Sequence, residues 1–148
     1  TRTYPGIAQV FVDTPGGSLR DWFWDPVPEG GSSFDMKFLD QGELTRSGDK
    51  LALIRGTNTQ KDWRQATIQI YSVSNFATAP EALCAIRTPR RGPLAKPTWS
   101  PDGNTLAWSD SRGIWSSAIT ARGDTCGSAP KLIIPGGSAP DWGPSNVR

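Results

Sequence analysis

Histidine is absent from this chain, cysteine occurs twice and methionine once. Without an imidazole no histidine-dependent catalytic triad can be assembled, and two separated cysteines do not make a zinc ligand array. The sequence also lacks a GxSxG elbow, a glycine-rich phosphate loop ending in Gly-Lys and a calcium-loop motif. No catalytic, cofactor-binding or metal-binding residue is therefore expected. No apolar run reaches the roughly 18 residues of a membrane-spanning helix, so no transmembrane segment is expected either. A basic and apolar leader is missing, and any signal peptide is expected to have been removed or to lie upstream. Charge of a single sign is lacking too: 16 basic and 14 acidic residues leave a net +2. That balance points to no nucleic-acid partner.

What the chain does have is glycine (16) and proline (13) in 148 residues, a composition suited to short strands and tight turns. The most informative stretch is residues 96–110, KPTWSPDGNTLAWSD. Pro101, Asp102, Gly103 and Asn104 supply a turn, and β-branched and aromatic residues on both sides suit half-buried strands. Partial copies occur elsewhere. Residues 47–53, SGDKLAL, match residues 100–108 if two residues drop from the turn, and residues 141–146, DWGPSN, restart the pattern. The period is roughly 40 to 55 residues, in the range of four-stranded repeat units. A second echo pairs TPGGSLRDW (residues 14–22) with IPGGSAPDW (residues 134–142).

SPDGNTLAW followed by GIW, and the ending GGSAPDWGP, resemble the repeat of the TolB-like β-propeller family, also described as PD40 or WD40-like repeats. The resemblance implies an all-β fold, a partial β-propeller of four-stranded antiparallel blades. Near-complete units are expected at about residues 41–86 and 94–134, with partial units at 1–40 and 136–148. It also implies a secreted or periplasmic protein, a non-catalytic scaffold whose loops bind a protein or peptide. Alternatives in the same family are an accessory propeller of a serine peptidase and a glycan-binding propeller. Closed propellers typically need about four to eight blades, so three states are expected to be open to this chain: a piece of a longer ring, a ring completed by another chain, or an open array.

In chain order, strands are expected at residues 8–12, 19–24, 34–38, 43–46, 50–55, 66–73, 81–86, 94–100, 104–109, 113–119 and 131–134, with residues 39–42 read as a turn. Trp22 and Trp24 share one face of their strand, as core or as an exposed platform. Trp99, Trp108 and Trp115 are expected to fill the gaps between units, as are Leu106, Ile114, Ala118, Leu132 and Ile134.

Candidate recognition residues are Trp63 and Trp142, for peptide or glycan contact if exposed, together with Asp141 and the basic knot Arg87, Arg90 and Arg91. Asp49 and Asp102 read as turn aspartates bonding backbone, and Asp21 and Asp141 as organisers of the entry to an inner strand. The RGD tripeptide at Arg122 falls in an expected hairpin loop. Cys84 precedes Trp99 by 15 residues and Cys126 precedes Trp142 by 16. The two thus hold similar places in successive repeats, either joined as a disulfide or kept as separate buried thiols. A disulfide would place maturation in an oxidising compartment.

Overall fold

The computed structural model describes residues 9–12, 16–17, 19–25, 38–58, 61–86, 92–122 and 125–143. The expected strand at residues 34–38 falls almost wholly outside them, as do Arg87, Arg90, Arg91, Gly123 and Asp124.

The described chain is all-β and antiparallel. A hairpin of β1 (Gln9–Val12) and β2 (Arg20–Trp24) comes first. Next is a four-stranded meander of β3 (Leu39–Leu44), β4 (Lys50–Arg55), β5 (Thr67–Ser72) and β6 (Glu81–Ile86), paired in that order, with a 3-10 turn Trp63–Gln65 between β4 and β5. A second meander follows: β7 (Ala95–Trp99), β8 (Thr105–Asp110) and β9 (Gly113–Arg122), edged by β10 (Thr125–Gly127) and β11 (Lys131–Pro135). Both β10 and β11 lie antiparallel to β9, one against each half of it. Together they form a single outer strand interrupted around residues 128–130. Each meander therefore has four strand positions.

The turns explain why these segments fold alike. In the second meander the Ser100 N–H donates to the Thr105 carbonyl (2.9 Å) and the Gly103 N–H to the Ser100 carbonyl (2.8 Å). In the first, Thr45 N–H donates to Lys50 carbonyl (2.9 Å) and Gly48 N–H to Thr45 carbonyl (2.9 Å). Gly48 and Gly103 take φ +76° and +68° at the same step, where a side chain is strained. Thr45 is thus the counterpart of Ser100 at a constant offset of 55 residues. The two-residue gap expected from matching Ser47 to Ser100 is corrected, because a threonine hydroxyl does the serine's work two residues earlier.

Residues 39–42 are strand rather than turn. Gln41, at φ +47°, forms a bulge between Asp40 and Glu43 that bends β3 without ending it. That strand stops at Leu44, not at Arg46.

Side-chain alternation separates two cores. Ala52 and Ile54 of β4, with Ile68 and Ile70 of β5, face the second meander and pack with Trp99, Leu106, Trp108, Trp115 and Ile119. All three expected core tryptophans lie there. Leu51, Leu53, Tyr71 and Val73 face the other way, onto Phe23 and the partly buried Val10 and Trp22 of the hairpin. Phe23 is the buried core residue of β2, Trp22 packs half-buried beside it, and Trp24 is exposed. A disulfide and an ion pair are among the ties that hold the layers. Cys84 and Cys126 are joined as a disulfide between β6 and β10, and closing a loop of that size contributes about 4 kcal/mol on the chain-entropy account. Asp25, fully buried, accepts two hydrogen bonds from the Arg55 guanidinium and fastens the end of β2 to β4.

The outer edge and far face of the second meander are different. Ala118 is exposed, as are Leu132, Ile133 and Ile134 of β11, Ile134 at 51%. The expected burial of Ala118, Leu132 and Ile134 is therefore corrected: Ala118 and Ile134 lie on the far face, where no sheet among the described residues stacks, and Leu132, opposite Trp115, is on the edge strand and stays exposed.

Candidate functional site

Three inner segments run side by side: β3, β7 and residues 138–143. The sequence AKPTW of β7 recurs as SAPDW at residues 138–142, and the backbone recurs with it. Among the described residues the three non-glycine residues with positive φ are Gln41 (47°), Lys96 (51°) and Ala139 (49°), one at the same place in each segment. Left-handed backbone often marks functional strain, but threefold repetition makes it a property of the unit.

An indole links each segment to the one before it. Trp99 Nε1 donates to the Glu43 carbonyl (3.0 Å), and Trp142 Nε1 donates to the Thr98 carbonyl (3.1 Å). Glu43 and Thr98 are equivalent residues at the 55-residue offset. Between β3 and β7 the link is reinforced: Glu43 Oε1 accepts from Thr98 Oγ1 (3.0 Å) and from the Trp99 N–H (3.2 Å), and Gln41 Oε1 accepts from the Lys96 N–H (2.8 Å).

These segments frame a cleft of about 290 Å³ whose lining includes Glu43, Arg46, Thr98, Pro101, Asp141 and Trp142. Two carboxylates and one guanidinium line it, one of the carboxylates, Glu43, already bonded to Thr98 and Trp99. Both turns are electrostatically settled. Hydrogen bonds from the Ser47 and Thr45 hydroxyls hold the Asp49 carboxyl well below its usual range. The Ser100 hydroxyl and the Asn104 N–H lower that of Asp102. Asp102 bonds backbone as expected. The Asp49 carboxylate instead accepts from the Thr45 and Ser47 hydroxyls and from Lys50 Nζ, a correction that follows from its place on the far side of the turn. Among the described residues no three His, Cys, Asp or Glu side chains are grouped to hold a metal.

Of the sequence candidates, Asp141 and Trp142 line this cleft. Trp63 sits in the β4–β5 connection with the Arg64 guanidinium 4.4 Å above its ring, and it is not part of the lining. Arg87, Arg90 and Arg91 lie outside the described residues. The PGGS echo does not mark equivalent places: Asp21 and Trp22 lie within β2, paired to β1, and Trp22 Nε1 donates to the Thr78 carbonyl. Asp21 therefore does not lead into an inner strand. Glu43, Arg46 and Thr98 were missed. The signal was present, since Glu43, Thr98 and Asp141 are one repeat position, but the gapped alignment concealed it.

No protein-family model matches this chain, no curated protein matches it, and no solved structure matches it.

Proposed function

We propose that the chain is part of a TolB-like β-propeller that acts as a recognition scaffold, binding an extended segment of a protein partner along its inner-strand cleft. The observation that carries this reading is the cleft itself. It spans three successive repeats and offers Arg46 and Asp141, with Glu43 holding Thr98 and Trp99 in place beside them. The constant turn geometry and the repeated indole link support the propeller part of the proposal. The Cys84–Cys126 disulfide supports a secreted or periplasmic setting, where such bonds persist. Glycan binding draws no support from the site, because Trp142 has committed its indole N–H to Thr98 and Trp63 carries Arg64 on its face.

Selection of a displayed random-peptide library against the immobilised chain tests the reading. Enriched peptides are expected to lose at least tenfold in affinity on Arg46→Glu and on Asp141→Lys. Peptides that bind both variants as well as the parent, or a library that yields no binder, would refute it.

A further inference from the structure

The hairpin and the last described segment are complementary parts of one unit. In each complete meander an inner strand pairs antiparallel with the next strand, β3 with β4 and β7 with β8. Residues 138–143 have the left-handed residue, the proline and the indole link of β7, yet pair with no strand among the described residues. The hairpin has the opposite lack. Strand β1 pairs with β2 alone among the described residues. Along β3, where an inner strand would lie, a groove of about 390 Å³ opens between Val10 and Phe11 on one side and Leu39, Leu44, Leu51 and Leu53 on the other.

We infer that this groove receives residues 138–143 of a second copy of the chain, which pair antiparallel with β1 and complete the first unit as its inner strand. The occupant is argued from three observations. The segment has the backbone of an inner strand although no described strand pairs with it. The groove occupies the inner-strand position of the first unit, which no described strand fills. Exposed apolar groups mark both ends, Phe11 and Trp24 on the hairpin and Ile133 and Ile134 beside the segment, so head-to-tail contact brings apolar surface against apolar surface. Such a contact is heterologous, and it leaves no open end only if the rotation closes. The three described units of each of two copies make a ring of about six, within the usual range for closed propellers. The inference rests on the equivalence of the inner strands and not on peptide recognition, so either can fail without the other.

Native mass spectrometry of the full chain at tens of micromolar tests it. The expected mass is twice the 16.0 kDa of one chain. Phe11→Asp alters the groove and Asp141→Pro removes a strand N–H. Both residues are exposed, so each variant should keep the parent circular dichroism spectrum while its dimer dissociation constant rises at least tenfold. Mixing the two variants leaves one intact groove facing one intact strand, and dimer should reappear. A monomeric parent, a dimer indifferent to both changes, or a mixture that stays monomeric would overturn the inference.

Discussion

The two meanders share a turn, an offset and an indole link, but not their surroundings. Around Thr45 the aspartate stands on the far side of the turn, at Asp49, and around Ser100 on the near side, at Asp102; in both cases a carboxylate holds the hydroxyl that caps the next strand. The first meander is covered on both faces, by the hairpin and by the second meander. The second has a sheet stacked on one face only; on the other, Ala107 and Ile114 are buried beside residues 139–142 while Ile133 and Ile134 stay exposed. The turn therefore specifies the unit, and stacking determines how much of its apolar surface contributes to stability.

The largest expected contrast lies between the two equivalent tryptophans. Trp99 is buried between the meanders, so Trp99→Ala should destabilise by about 3–5 kcal/mol. Trp142 is half-buried, and Trp142→Ala should lose about 1 kcal/mol, the scale of one hydrogen bond. Urea denaturation of both variants measures the gap, and equal losses would break the comparison. Removing the clamp between the outer strands with Cys84→Ala and Cys126→Ala together should lower stability by about 2–4 kcal/mol, read from the same midpoints.

Tyr71 makes the covered face of the first meander sensitive to pH, because it packs against the hairpin. Burial, with the Asp25 carboxylate adding to it, pushes its hydroxyl up to about 12. A raised pKa means that the folded state holds the proton more tightly. The contribution is complete below the ordinary tyrosine value of about 10 and is lost as pH rises from there towards 12. Stability should fall by roughly 2 kcal/mol more in the parent than in Tyr71→Phe across that window, at up to about 1.4 kcal/mol per unit. Matching pH profiles would show that the hairpin does not seal this face.

The smallest effect should carry the opposite sign. Left-handed backbone disfavours a non-glycine residue by about 1–2 kcal/mol, while glycine adds about 0.5–1 kcal/mol of chain entropy. Lys96→Gly should therefore stabilise by about 0.5–1 kcal/mol. Ala139→Gly should do the same if residues 138–143 are held as an inner strand. Gln41→Gly should gain less, since the Gln41 side chain accepts the Lys96 N–H.

Much of this architecture was legible in the residues. The SPDGNT turn, the alternation in Ala66 to Val73 and the restart at Asp141 located the meanders and the third inner segment. The tryptophans of β7, β8 and β9 were recognisable as core because aromatic residues in successive strands share a face. The bulge at Gln41 was not legible: β3 reads LDQGEL, and Gly42 suggested a turn where the left-handed residue is its neighbour. Nor could the sequence alone show that Trp142 turns inward to Thr98. That depends on a carbonyl presented by another strand, whose position only stacking provides. The exposure of Leu132 and Ile134 escaped for the same reason, since alternation assigns a face but not whether a neighbour covers it.

Residues 138–143 stand to β7 as β7 stands to β3, held by the same indole link. Hydrogen exchange of the indole protons, followed by nuclear magnetic resonance, reads that link. Trp142 is expected to be protected along with Trp99, and clearly slower than the exposed Trp24. A Trp142 indole proton that exchanges as fast as that of Trp24 would contradict the account.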